Sequence, residues 1–150
     1  MNKTDQLYQE VILDHNKNPR NFKELASPTH KAHGINPLCG DDYWISIQVE
    51  NNTVQDIGFM GSGCAISKSS GSLMTSLIKG KSTQEALDLK NTFLELIMTD
   101  CTDECREKAG RLKVLEGVKQ FPIRVKCATL VWRALEAALS QKDQAISTEN

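Results

Sequence analysis

The order of apolar and polar positions divides the chain into a helix, a small group of strands and a longer helical half. Near the amino end Leu7, Tyr8, Val11, Ile12 and His15 recur at spacings of three and four, the stripe of one helix face, with Asp5 available near its start. Residues 16–21 end that helix, because Pro19 lacks the N–H a helix needs. A loop containing Ser27-Pro28 follows. The period then changes to two. Tyr43, Ile45, Ile47 and Val49 alternate with Trp44, Ser46 and Gln48, which predicts a strand with one buried face. Asn51-Asn52 supplies a turn, since Asn tolerates positive φ. Residues 54–60 form the return strand, and residues 31–35 add a third. A sheet this small is one-sided and needs helices over its apolar face.

Helical spacing returns after position 64. Ile66, Ser70, Leu73, Leu77 and Ile78 trace one stripe, ended by Lys79-Gly80. Ser82-Thr83-Gln84-Glu85 is a capping box that opens a helix carrying Ala86, Leu89, Phe93, Leu96 and Ile97 toward the core. Residues 100–110 are charged and short of apolar anchors. Leu112, Leu115 and Val118 mark a short helix closed by Phe121-Pro122. The last long helix carries Cys127, Leu130, Val131, Ala134, Leu135, Ala138 and Leu139, with Cys127 expected in its first turn. Residues 142–150 are a polar tail expected to fray. Trp44 and Trp132 are expected to pack, and His15 to be capped or half-buried. The prediction is a single α+β domain over residues 1–150: a small antiparallel three-stranded sheet packed on one face by a group of helices.

A chain of 150 residues can bury a genuine core without covalent staples. The 18 basic and 19 acidic residues leave a net charge of −1 with no basic block, so no nucleic acid is expected as partner. No apolar run approaches the roughly 18 residues of a membrane span, and the polar start lacks the apolar core of a signal peptide. The expectation is a cytoplasmic protein with no membrane association.

Five cysteines, at positions 39, 64, 101, 105 and 127, change the picture more than composition does. An odd count without an export signal argues against a disulfide framework. Thiols in a reducing compartment are metal ligands, nucleophiles or core residues. Cys39 lies in a loop before a strand, and Cys64 in a glycine-rich turn between a strand and a helix. A helix start offers unpaired N–H groups and positive partial charge, which favour a thiolate at Cys64 and Cys127. Arg124 and Lys126 add positive charge beside Cys127. Three thiolates suit zinc, copper(I) or an iron–sulfur cluster, and Asp41, two residues from Cys39, can complete a tetrahedral zinc site. Cys101 and Cys105, four apart, read as additional core or surface thiols. His33 could reach the site across a strand, with a surface role as the alternative.

The blocks Asn36-Pro37-Leu38-Cys39-Gly40-Asp41, Gly61-Ser62-Gly63-Cys64-Ala65-Ile66-Ser67 and Arg124-Val125-Lys126-Cys127-Ala128-Thr129-Leu130 resemble the U-type iron–sulfur cluster assembly proteins, the family of IscU and the NifU N-terminal domain. The resemblance runs from the first helix to Leu139. Within the family the chain is similar to the SufU branch: the spacer between Cys64 and Cys127 is longer than in the scaffold branch, with the excess around residues 91–111. Lys126 also stands where a scaffold carries histidine, and a protonated lysine cannot ligate a metal. What this resemblance implies is a zinc held by Cys39, Asp41, Cys64 and Cys127, and persulfide accepted on Cys39 from a pyridoxal-phosphate cysteine desulfurase of the SufS type. The recipient would be a downstream cluster scaffold of the Suf system, with Arg124 and Lys126 on the partner-facing surface. The alternatives are a scaffold that holds iron or a transient iron–sulfur cluster, a domain whose zinc is purely structural, and a thiol oxidoreductase. The absence of a C-x-x-C pair speaks against the last.

Overall fold

The computed structural model describes residues 3–140 and 146–147. Helix α1 (Lys3–Lys17) leads into strands β1 (His30–Asn36), β2 (Asp41–Glu50) and β3 (Thr53–Ser62). Helices α2 (Ala65–Ile78), α3 (Thr83–Met98) and α4 (Asp103–Ala109) follow, then a 3₁₀ segment (Gly110–Gln120), α5 (Pro122–Leu139) and a two-residue strand β4 (Ile146–Ser147). The three antiparallel strands are those the period of two predicts. Asn51 and Asn52 both take positive φ, which lets two residues join β2 to β3. Two expectations, the Asp5 cap and the place of the Leu7 side chain, lie outside the described side chains. The tail expected to fray also lies outside the described residues, except that Ile146–Ser147 pair in parallel with β1 at Gly34–Ile35.

The sheet runs in the order β3-β2-β1-β4, and its inner face carries Ala32, Tyr43, Ile45, Ile47, Val54, Ile57 and Phe59. Helix α5 lies across β1 and β2 and against α2. A Cβ at Gly34 would stand 3.1 Å from Leu130, so this glycine is what lets α5 sit so close to β1. Trp132 and Phe93 stack within the helical layer, both fully buried. Trp44 departs from the expectation that it packs: it is 44% exposed, because the alternation of β2 turns it to the outer face. Among the described residues no helix is long and apolar enough to cross a membrane.

Two regions correct the sequence reading. Residues 100–110 are not without anchors: α4 forms there, N-capped by Thr102, with Cys105 and Ala109 buried. Cys101 precedes that helix, and it is not an additional thiol but forms a disulfide with Cys105. The odd count therefore resolves into one bonded pair and three free thiols, Cys39, Cys64 and Cys127. The stretch around Leu112 is 3₁₀ rather than α. Ala109, Leu112, Leu115 and Val118 are each three apart and all buried, and a spacing of three is the 3₁₀ repeat.

Candidate metal centre

Strand register builds the site. β1 and β2 pair so that Asn36 stands opposite Asp41, both facing the helices and both fully buried. The four residues between them, 37–40, form the turn that carries Cys39, which is half-buried, with Gly40 at φ 73°. The end of β3 passes beside the start of β2, and the chain turns through Gly63 into Cys64, the N-cap of α2. Cys127 comes from α5 and is buried. It is not in the first turn: α5 begins at Pro122, so Cys127 is its sixth residue. Proline at the first helical position is the signal that places this start, and it lies in the sequence itself.

The Cys39 and Cys127 sulfurs are 3.1 Å apart. One donor atom from each of Cys39, Asp41 and Cys127 lies within 4.8 Å of the other two. Cys64 contributes differently. Its thiol lies outside that group of three and accepts the Ser67 N–H at 3.5 Å, while its own backbone N–H donates to Asp41 Oδ1 at 2.9 Å. Ser67 Oγ donates to the same oxygen at 3.0 Å, and Asn36 Nδ2 donates to Asp41 Oδ2 at 3.1 Å. The Asn36 amide also reaches Cys127 Sγ at 3.5 Å. Because a carboxylate only accepts, the nitrogen of Asn36 must face Asp41, and this leaves Asn36 Oδ1 buried without a partner among the described residues. Tyr43 OH lies 3.2 Å from Ser67 Oγ. With the Ser67 proton directed to Asp41, the phenol is the donor. Gly63 is required here by closeness: a Cβ on it would fall 2.4 Å from Asp41 Oδ1 and 2.6 Å from Ser67 Oγ.

The electrostatics concentrate negative charge. Burial pushes the Cys127 thiol well up, and the neighbouring Cys39, Cys64 and Asp41 push in the same direction. The helix-start argument for an easily formed thiolate therefore fails at Cys127, which is buried and is the sixth residue of α5. Burial also raises Tyr43 to about 12, with its hydrogen bond to Ser67 opposing and Asp41, Cys64 and Cys127 adding to it, so it is a neutral phenol at physiological pH. Two thiols and a buried carboxylate in one place ionise together only if a cation joins them, and a coordinating metal deprotonates a thiol outright. Thiol and carboxylate donors at this separation fit zinc, whose bonds to sulfur are about 2.3 Å.

The remaining predicted residues separate by location. Arg124 is exposed on the first turn of α5, near enough to Tyr8 for its charge to act on that phenol, and Lys126 is half-buried. His33 does not enter the site. It lies on the outer face of the sheet, stacked on Trp44 and 2.6 Å from Asp42 Oδ1. Asn36, Tyr43 and Ser67 were not singled out from sequence, because an amide, a phenol and a hydroxyl carry no metal signature of their own. The adjacency of Asn36 to the Cys39 loop was the available hint.

The sequence profile of the NifU-like N-terminal domain matches residues 7–144. The zinc-dependent sulfurtransferase SufU of Bacillus subtilis is 39% identical over 139 residues, 93% of this chain and 93% of that protein. The iron–sulfur cluster assembly scaffold protein IscU of Streptococcus pyogenes is 35% identical over 145 residues, 97% of this chain and 90% of that one. The crystal structure of a putative iron–sulfur cluster assembly scaffold protein for the SUF system from Fervidobacterium islandicum superposes with a TM-score of 0.81 at 30% identity, covering 89% of this chain and 97% of that one. The chain belongs to the NifU-like N-terminal domain family, the iron–sulfur cluster assembly family that includes SufU and IscU.

Proposed function

We propose that this protein is a zinc-dependent sulfur carrier of iron–sulfur cluster assembly, taking persulfide sulfur from a cysteine desulfurase onto Cys39. The observation that carries the reading is the contrast between two adjacent thiols. Cys39 is half-buried on a turn beside the exposed Leu38, whereas Cys127, 3.1 Å away, is enclosed by α5 and β1. An incoming sulfur can reach the first and not the second. Cys39, Asp41, Cys64 and Cys127 would hold zinc, Cys64 from its N-cap position beside Asp41. Bound zinc would supply the positive charge that keeps these thiols deprotonated. In the transfer, the Cys39 thiolate attacks the outer sulfur of the donor persulfide. A sulfur–sulfur bond forms at Cys39, the donor's own bond breaks, and the donor cysteine leaves as thiolate. No net oxidation occurs. Asn36 and Ser67 hold Asp41 in place throughout, and Arg124 and Lys126 lie on the same helix as Cys127 to meet the partner.

The scaffold reading draws on the IscU relative, and Lys126 in place of a histidine weighs against it. The test is to incubate the zinc-loaded protein with desulfurase and free cysteine and to measure the mass of the Cys39 peptide. It should gain one sulfur atom, and Cys39→Ala should abolish stimulation of the desulfurase. Wild-type stimulation by Cys39→Ala would remove Cys39 as acceptor. A stable coloured cluster after anaerobic addition of iron and sulfide would favour the scaffold.

A further inference from the structure

Away from the metal centre, α1 and the 3₁₀ segment enclose a groove of about 1130 Å³. The two elements run in opposite directions. Arg111 acts on His15 at one end, and Gly117 meets Tyr8 at the other. His15 and Tyr8 are seven residues apart on α1, so the groove floor extends about 10 Å.

The His15 end is polar and cationic. Ser72 Oγ accepts the Arg20 backbone N–H at 2.8 Å and lies 2.6 Å from His15 Nδ1. Among the described residues Nδ1 is the acceptor within reach of the Ser72 hydroxyl, so the Ser72 proton is assigned to Nδ1 and the ring hydrogen to Nε2. The His15 ring is 3% exposed and lines the groove, and its Nε2–H has no partner among the described residues. Arg20 is occupied by Asp14, and Arg106 and Lys119 by Glu116. Arg111, also lining the groove, has no ion-pair partner among the described residues. Toward the other end Tyr8, Val114 and Phe121 supply apolar lining, and the polar groups there include Lys119, paired with Glu116.

The geometry points to a second binding site in this groove, for a small organic anion. A carboxylate or phosphate head would take the His15 Nε2–H and the Arg111 guanidinium, and a flat apolar body would lie toward Tyr8, Val114 and Phe121. An imidazole N–H and a guanidinium fork converging on one space are donors without acceptors, and an oxyanion supplies what both lack. The site is separate from the sulfur-accepting centre and uses none of its ligands.

The experiment follows the ring signals of His15, His30 and His33 by NMR in the full-length, zinc-loaded protein. It is titrated with 1-naphthyl phosphate, 1-naphthoate and the neutral 1-naphthalenemethanol. Saturable shifts centred on His15 are expected with at least one of the two anions, with the neutral probe about tenfold weaker. The tighter anion identifies the head group. Arg111→Gln, an exposed position whose substitution leaves the core intact, should weaken the anion about tenfold and leave the neutral probe unchanged. The proposal is overturned if neither anion gives a saturable shift at His15, if the neutral probe binds as tightly, or if Arg111→Gln binds the anion as wild type does.

Discussion

The amide of Asn36 donates to a carboxylate on the neighbouring strand and to a thiol on α5, so one buried side chain ties together two elements of the centre. Such supporting hydrogen bonds orient ligands, and their loss typically costs about 10–100-fold in metal affinity. Asn36→Ala should lower zinc affinity by that order in competition with a chromogenic chelator. Asn36→Asp, which places a second carboxylate against Asp41, should lower it further. Affinity equal to wild type in both would show that Asp41 needs no such support. His15 predicts a different measurement. Burial holds it below its usual 6.5, Arg20 and Arg111 act in the same direction, and Asp14 partly opposes them. A depressed pKa contributes stability that is complete above 6.5 and is lost as pH falls through the folded-state value. Acidification from pH 7.5 to 5.5 should therefore lower the denaturation midpoint less in His15→Gln than in wild type, and parallel curves would contradict this. At this scale the sequence is read well where chemistry is intrinsic, as with thiols and carboxylates. It is read poorly where a residue matters through its neighbours, because Asn36 becomes significant only once the antiparallel register sets it opposite Asp41.

Among the elements, α2 carries four buried serines, Ser67, Ser69, Ser70 and Ser72, and each works for another segment. Ser69 donates to Ile12 O, Ser70 donates to Ala128 O and accepts from the Trp132 indole, and Ser72 anchors Arg20. Gly71, among them, is where α2 approaches β3: a Cβ would stand 2.7 Å from the Phe59 ring. Gly71→Ala should cost about 1–3 kcal/mol through overpacking, read as a lower urea midpoint. An unchanged midpoint would mean that the ring moves freely aside. The capping box at Ser82 forms as its sequence predicts, with the Glu85 carboxylate on the Ser82 N–H and the Ser82 hydroxyl on the Glu85 N–H. α4 and the 3₁₀ segment were less legible. The anchors of α4 are a cysteine and an alanine, which a search for large apolar residues passes over. A run of residues three apart is equally compatible with one side of an α-helix until its neighbours are seen.

For the whole molecule, the centre draws on three distant stretches, residues 36–41, 63–67 and 127, which meet only in the folded state. A metal bound there binds the native chain and not the unfolded one, so it adds stability by mass action. At free zinc a thousandfold above the dissociation constant, that is about 4 kcal/mol. Chelation should therefore lower the Tm by several degrees, and Asp41→Ala should show a much smaller shift on chelation. Equal shifts in the two proteins would remove Asp41 from the metal centre. The α+β arrangement was legible because each change of period marks a change of element, whereas the meeting of the three stretches depends on register and packing that no single stretch encodes.

The turn of residues 37–40 has its two ends fixed by the Asn36–Asp41 pair. With about 3.5 Å of reach per residue, its tip can travel only two residues' length, roughly 7 Å, from that anchor. An acceptor at Cys39 is thus a short, nearly stationary post rather than a swinging arm. On the sulfur-carrier proposal, the donor protein would carry its persulfide across the gap on a mobile segment of its own, and shortening that segment would stop delivery while leaving both partners chemically intact.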